Sequence, residues 1–326
     1  MDGAARTRAW GLALAVLSSV CFGAAGPFGK ALIHAGLSPW QAVWLRIAGA
    51  ALVLVPLVLL LRGPSVARSL RPHLPHLPRL VGYGLTGVAG AQAFYFLAAS
   101  RLPVGIAILL EFCGPIVVLA WLRLVRRARV HRSAAAGVAV AMVGLAMVVE
   151  VWSGLRLDAL GLAAGLGAAA CQAGYFLLID RLAGEVDPLV MTTAGTVVGA
   201  LVLALPAAPW ALPWDVLPAG VPVGGHTAPG WVLAAWIIVV STVVAYLTGV
   251  AGVQRLSAQV AGAVCYTEAV AATLIAWAAL GERLSPVQLT GSAIVLIGAF
   301  FAQRAATEPG ITVRAPDEAP APALTR

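Results

Sequence analysis

Residues 123–132 read Arg123-Leu124-Val125-Arg126-Arg127-Ala128-Arg129-Val130-His131-Arg132, and residues 281–285 read Gly281-Glu282-Arg283-Leu284-Ser285. Each stretch separates the fourth and fifth apolar runs of one half of the chain. The first carries five arginines, whereas the second sets one base against one acid. Matched apolar runs with loops so differently charged are expected of a duplicated membrane segment whose second copy enters from the opposite face. The rest of the chain agrees with this reading.

The 326 residues are 61% hydrophobic and 10% charged, with a mean hydropathy of +0.94. Soluble domains are about 45–50% apolar and about 25% charged, so a soluble protein is excluded. Disorder and collagen are excluded too, by the apolar fraction and the lack of a three-residue Gly period. Ten runs suit membrane helices of about 20 residues: Trp10–Ala31, Trp40–Leu61, Leu80–Ala99, Pro103–Leu122, Ala134–Val151, Ala159–Ile179, Leu189–Ala207, Trp231–Val250, Ser257–Leu280 and Val287–Ala302. None alternates with the period of two that a membrane strand requires. Arg6 and Arg8 before an apolar run that reaches Gly23-Ala24-Ala25-Gly26 resemble a secretory leader. The run continues past Ala25 and has a partner in the second half, so it is read as a retained helix.

The expected fold is therefore all-α, with ten transmembrane helices in two inverted five-helix repeats. With the N-terminus inside, cytoplasmic segments hold Arg6, Arg8, Arg62, Arg68, Arg71, Arg79, Arg123, Arg126, Arg127, Arg129, Arg132, Arg181, Arg255, Arg304, Arg314 and Arg326, against Arg101, Arg156 and Arg283 outside. Both termini are then cytoplasmic, in a multi-pass protein of the plasma (inner) membrane. The net charge of +8 is a topology signal and gives no reason to expect a nucleic-acid partner. Pro206–Gly230 reads as a Pro- and Gly-rich loop along the outer interface, and residues 304–326 as a disordered cytoplasmic tail.

A shift of 154 places Arg101-Leu102 on Arg255-Leu256, Gly137 on Gly291 and Gly144 on Gly298; a shift of 150 places Gly11-Leu12-Ala13 on Gly161-Leu162-Ala163 and Cys21 on Cys171. The repeats run over residues 10–151 and 158–303. Inverted repeats recur in secondary transporters, with the binding site at mid-membrane between the halves; duplication that merely enlarged a structural bundle is the alternative.

Residues 281–285 with Val287-Gln288-Leu289-Thr290-Gly291 resemble the acid-containing turn before the last helix of the EamA family, in the drug/metabolite transporter superfamily. Leu102–Pro115 resembles the fourth span of that family's threonine/homoserine exporter branch. The resemblance implies a ten-helix carrier of small amino-acid-like or drug-like metabolites, commonly an exporter. Glu268 precedes Ala269 where family members often carry Glu-Pro.

Ionisable groups deep in a membrane are costly, and each marks a candidate site. Glu111 and Glu268 lie mid-span, offset by three residues in the 154 register, which keeps them on similar helix faces. Pro115 lacks an N–H and leaves the Glu111 carbonyl without its helical partner, so one position offers a carboxylate and a free carbonyl to an ammonium or a coupling cation. Such a carboxyl could also exchange a proton. Arg46 either pairs permanently with an acid or grips a substrate carboxylate through its planar fork. Gln92 and Tyr95, Gln172 and Tyr175, Tyr246, and Tyr266 are either cavity-lining or interhelical groups. Pro27, among Gly23, Gly26 and Gly29, is a candidate helix break, as is Pro115. Lys30, near the outer end of its span, is expected to snorkel to the interface.

Cys21, Cys113, Cys171 and Cys265 form no metal-ligand spacing, and no phosphate-binding loop or magnesium-holding acid cluster is present. The sequence points to no cofactor, no metal and no enzyme. The function it favours is transport of a small molecule across the lipid bilayer, with proton coupling an expectation. A non-transporting scaffold or regulatory bundle is the other reading.

Overall fold

The computed structural model describes residues 3–63, 71–114, 117, 132–149, 158–182, 185–253 and 267–306. In chain order the helices are α1 (Gly3–Gly23), α2 (Ala25–His34), α3 (Pro39–Arg62), α4 (Leu77–Tyr83), α5 (Ala91–Ala99), α6 (Val104–Glu111), α7 (Arg132–Val149), α8 (Ala159–Leu182), α9 (Pro188–Ala207), α10 (Gly230–Ala235), α11 (Ala245–Val253), α12 (Thr267–Leu280) and α13 (Pro286–Ala306). A turn at Ala24 divides α1 from α2. Two π-helical stretches, Gly84–Gly90 and Trp236–Val244, join α4 to α5 and α10 to α11. Among the described residues, five continuous helices are long and apolar enough to cross a membrane: Ala9–His34, Pro39–Arg62, His73–Ala99, Leu189–Ala207 and Gly230–Gly249.

Several helices begin on a Pro that follows a capping side chain. Ser38 and Gln41 form a reciprocal capping box at α3, with Gln41 N–H donating to Ser38 Oγ at 3.2 Å and Ser38 N–H to Gln41 Oε1 at 2.9 Å. Ser285 and Gln288 repeat that box at α13. Asp187 caps α9 by accepting from Leu189 and Val190 N–H. Pro at the first helical position loses nothing, because its N–H would have had no intrahelical partner.

Packing is the reverse of a soluble core. Small residues such as Ala42, Ala50, Ala91, Ala98, Ala168 and Ala272 are wholly buried, while Leu60 and Leu205 are 80% and 81% exposed. Lipid is as apolar as Leu, so helices associate through close van der Waals contact, which small residues permit. Trp210, Trp214 and Trp231 are also exposed, as suits aromatic rings at a membrane interface.

Contacts recur between positions that the repeat registers equate. α1 packs on α11 as α8 packs on α5. At the α7–α13 crossing, a Cβ on Gly144 would lie 2.6 Å from Val295 N and 2.7 Å from Gly291 O. Its counterpart Gly298 would lie 2.7 Å from Gly137 O. Both π stretches also fall at equivalent places.

One element departs from the all-α expectation. Gly220–Val223 and His226–Pro229 pair as a short antiparallel hairpin, within the stretch read as a loop. Its two-residue turn is Gly224-Gly225, with φ of +59° and +79°, the left-handed pair that a tight hairpin demands. Four-residue strands containing Pro are too short to show a period in sequence. Gly224 N–H donates to Ala279 O at 2.9 Å, docking the hairpin on the end of α12.

Candidate functional site

The site is organised by Arg46, which is 2% exposed in the first half of α3. Its Nε donates to Thr242 Oγ1 at 2.8 Å, Nη2 donates to Ser241 O at 2.9 Å, and Nη1 donates to Gln92 Oε1. Its guanidinium carbon lies 5.9 Å from the centre of the Phe96 ring. Ser241 and Thr242 lie in the second π stretch, and Gln92 begins the turn just after the first. Widened turns of this kind commonly mark functional positions. Here Thr242 Oγ1 donates to Ile237 O, five residues earlier, at 2.7 Å. One arginine thus ties α3 to the bulged portion of one helix and to the turn that follows the bulge of another.

Glu111 is the last residue of α6 and is 7% exposed. Glu268 is half-buried in the first turn of α12. A Cβ on Gly23 would lie 3.0 Å from Glu268 O, so the end of α1 rests on the start of α12. Arg46, Glu111, Glu268, Tyr95 and Tyr246 lie near enough to one another for their side chains to couple electrostatically, so one neighbourhood holds all five. Among the described residues no ion pair joins Arg46 to either acid. The permanent pairing considered from sequence is not made, because neutral oxygens on the π stretch and Gln92 take the guanidinium instead.

Tyr95 is 4% exposed, and its hydroxyl has no hydrogen-bond partner among the described residues. It faces Gly26 of α2, where a Cβ would collide with that hydroxyl. Tyr246 meets Phe22 edge-on at 4.9 Å. The pair Gln172/Tyr175 behaves differently from Gln92/Tyr95. Tyr175 stacks at 5.4 Å on Tyr83, which bonds Thr192, while Gln172 lies against Gly114. Pro27 is buried in the first turn of α2, three residues after the turn at Ala24. Pro115 and Tyr266 lie outside the described residues. The sequence reading missed Ser241, Thr242, Phe96 and Tyr83; hydroxyls and rings in apolar helices carry no mark that separates them from packing residues.

Lys30 requires a correction. Instead of snorkelling, it is 7% exposed, with Nζ 2.6 Å from Glu282 Oε1 and donating to Leu102 O at 2.7 Å. The folded bundle brings an acid from 252 residues away closer than the interface. The pair lines a cavity of about 750 Å³ bordered by the 100–103 and 281–283 loops and the hairpin turn.

The chain is a polytopic bundle of apolar helices in which Arg46, Glu111 and Tyr95 are buried and Glu268 is half-buried. The EamA-like transporter family matches residues 9–150 and again 159–303, and the chain belongs to it. It is 28% identical over 215 residues to the threonine/homoserine exporter RhtA of Escherichia coli (strain K12), and 27% identical to that of Salmonella typhimurium (strain LT2). The match takes in 64% of this chain and 65% of each relative, just under two thirds of their length. A solved crystal structure shares the fold with a TM-score of 0.58 at 20% identity, covering 90% of this chain and 96% of that one.

Proposed function

We propose that the protein is a secondary exporter of amino-acid-like metabolites across the plasma (inner) membrane. It works by alternating access of two inverted five-helix halves, residues 10–151 and 158–303, with ten spans and both termini cytoplasmic. The observation that carries this reading is the central group: Arg46 is held by neutral partners, in the same neighbourhood as two glutamates with which it makes no ion pair. Its three bonds use three of the five guanidinium N–H donors. A zwitterion could therefore present its carboxylate to Arg46 and its ammonium to Glu111. The names of the relatives point to threonine- or homoserine-like substrates. Proton exchange at Glu111 or Glu268 supplies the coupling, because each state binds substrate and proton with different affinity.

The test is flux of labelled threonine, homoserine and a panel of other amino acids into reconstituted vesicles under an imposed pH gradient. Saturable, gradient-driven flux is expected, and Glu111→Gln should abolish it while leaving the protein folded. A scaffold would show no saturable flux with any substrate. Equal flux by Glu111→Gln and wild type at every pH would overturn the role of Glu111.

A further inference from the structure

The turn that carries the family resemblance has a physical part for nearly every residue. Gly281, at φ +70°, ends α12 in the left-handed conformation, which reverses the chain without steric cost. Leu284 lies against Gly105 of α6, and Ser285 caps α13. Glu282 is left projecting between the halves. One of its oxygens pairs with Lys30, and the other accepts from Val104 N–H at 2.8 Å, one of the unpaired donors at the start of α6. Lys30 completes the ring by donating to Leu102 O. Lys30, Leu102 and Val104 belong to the first repeat and Glu282 to the second.

The ring stands between an open cavity and the buried acid. Val104 and Glu111 are at the two ends of α6, seven residues and so about 10 Å apart along the axis. Val104, Ala107, Ile108 and Glu111 have the spacing of one helix face, and the first three belong to the same buried cluster as Tyr95 and Phe96. The ring and Glu111 therefore mark the two ends of one buried face of α6, with the cavity at the ring's end.

We infer that Lys30 and Glu282 form the closure of the transport path on this side: a latch between the two halves that parts when the path opens towards the cavity. The inference rests on the transporter reading, and it makes Lys30 and Glu282 positioning residues that do not bind substrate at the central group. Other ion pairs join the halves: Arg62–Asp187 at 2.7 Å and Arg79–Glu185 at 3.1 Å away from the cavity, and Arg101–Asp158 at 3.3 Å at its rim. Their side chains are 32–49% exposed, against 9% and 18% for Lys30 and Glu282. Solvent weakens exposed pairs, whereas removing one partner of a buried pair strands the other. The shielded pair is the one able to hold a path shut.

The experiment places a reporter thiol below the latch, Ala107→Cys, and follows its alkylation by a membrane-impermeant maleimide applied from the cavity side, relative to protein lacking that thiol. Lys30→Met and Glu282→Gln should each speed alkylation by about tenfold or more, in proportion to the open population. Lys30→Arg, which keeps the charge and the donors, should label as slowly as the parent. Glu282→Gln keeps the shape and an acceptor for Val104 N–H, so it separates loss of the ion pair from misfolding. As a second measurement, Lys30→Cys/Glu282→Cys bridged by a short reducible thiosulfonate cross-linker should lose flux, and reduction should restore it. Unchanged labelling in both charge-removing variants, or undiminished flux in the bridged protein, overturns the latch. Labelling needs no substrate, so accelerated labelling without any flux would sink the transporter reading and leave the closure standing.

Discussion

Replacing Arg46 by Lys keeps the charge and removes the fork, and the structure sets the size of the effect. The three acceptors of Arg46 come from two elements: Thr242 Oγ1 and Ser241 O from the second π stretch, and Gln92 Oε1 from α5. A compact ammonium on a shorter reach cannot satisfy that planar spread, so at least one buried acceptor loses its donor. A hydrogen bond to a charged group contributes about 1.5–3 kcal/mol, and the guanidinium over Phe96 adds roughly 0.5–1 kcal/mol. The expected loss is about 2–4 kcal/mol. At about 2 °C per kcal/mol, the lower end of the scaling for domains of 150–250 residues, this lowers the midpoint by roughly 4–8 °C. The assay is thermal unfolding in detergent followed by tryptophan fluorescence, paired with flux after reconstitution. Flux should fall tenfold or more, since about 1.4 kcal/mol of misalignment is already a factor of ten. A midpoint for Arg46→Lys within about 1 °C of wild type, with normal flux, would refute the claim that the fork organises the site.

Three further outcomes are expected. Gly144→Val would force a side chain into the backbone of α13, 2.6 Å from Val295 N at the Cβ alone; helix separation of this kind costs typically about 1–3 kcal/mol, read as a lowered midpoint or loss of folded yield. Tyr95→Phe removes a hydroxyl that has no partner among the described residues, so stability should change by less than about 0.5 kcal/mol while KM rises; an unchanged KM would remove Tyr95 from the site. Asp187→Ala deletes the α9 cap and the half-exposed pair with Arg62, costing about 1 kcal/mol of stability with flux retained.

Much of this architecture is legible in sequence because a bilayer demands long apolar runs, and Pro39–Arg62 or Leu189–Ala207 meet that demand without ambiguity. Lone polar residues in such runs are equally conspicuous, and so Arg46, Gln92, Tyr95, Glu111 and Glu268 stood out individually. Their mutual contacts did not. The π stretches escape notice because they change the number of residues per turn within Gly84–Gly90 and Trp236–Val244, where nearly every side chain is apolar or small and no periodicity exists to be shifted. Lys30 misled for another reason. Snorkelling is the rule for a cation on an isolated helix end, but its partner Glu282 approaches only after both halves have packed.

The duplication also explains why the centre is asymmetric. In the registers that align the repeats, Gln92 falls on Tyr246 and Arg46 falls on Thr196. Thr196 is wholly buried and donates to Thr193 O within its own helix at 2.9 Å. A second arginine there would place like charges in a water-poor interior, where repulsion is scarcely screened. Two copies of one backbone can share π stretches and glycine crossings, which carry no net charge. They cannot share a buried cation. A single guanidinium drawing on one π stretch, and on the residue just beyond the other, is the arrangement that a symmetric frame permits. It couples the halves through one side chain, so movement of either half must be felt at Arg46.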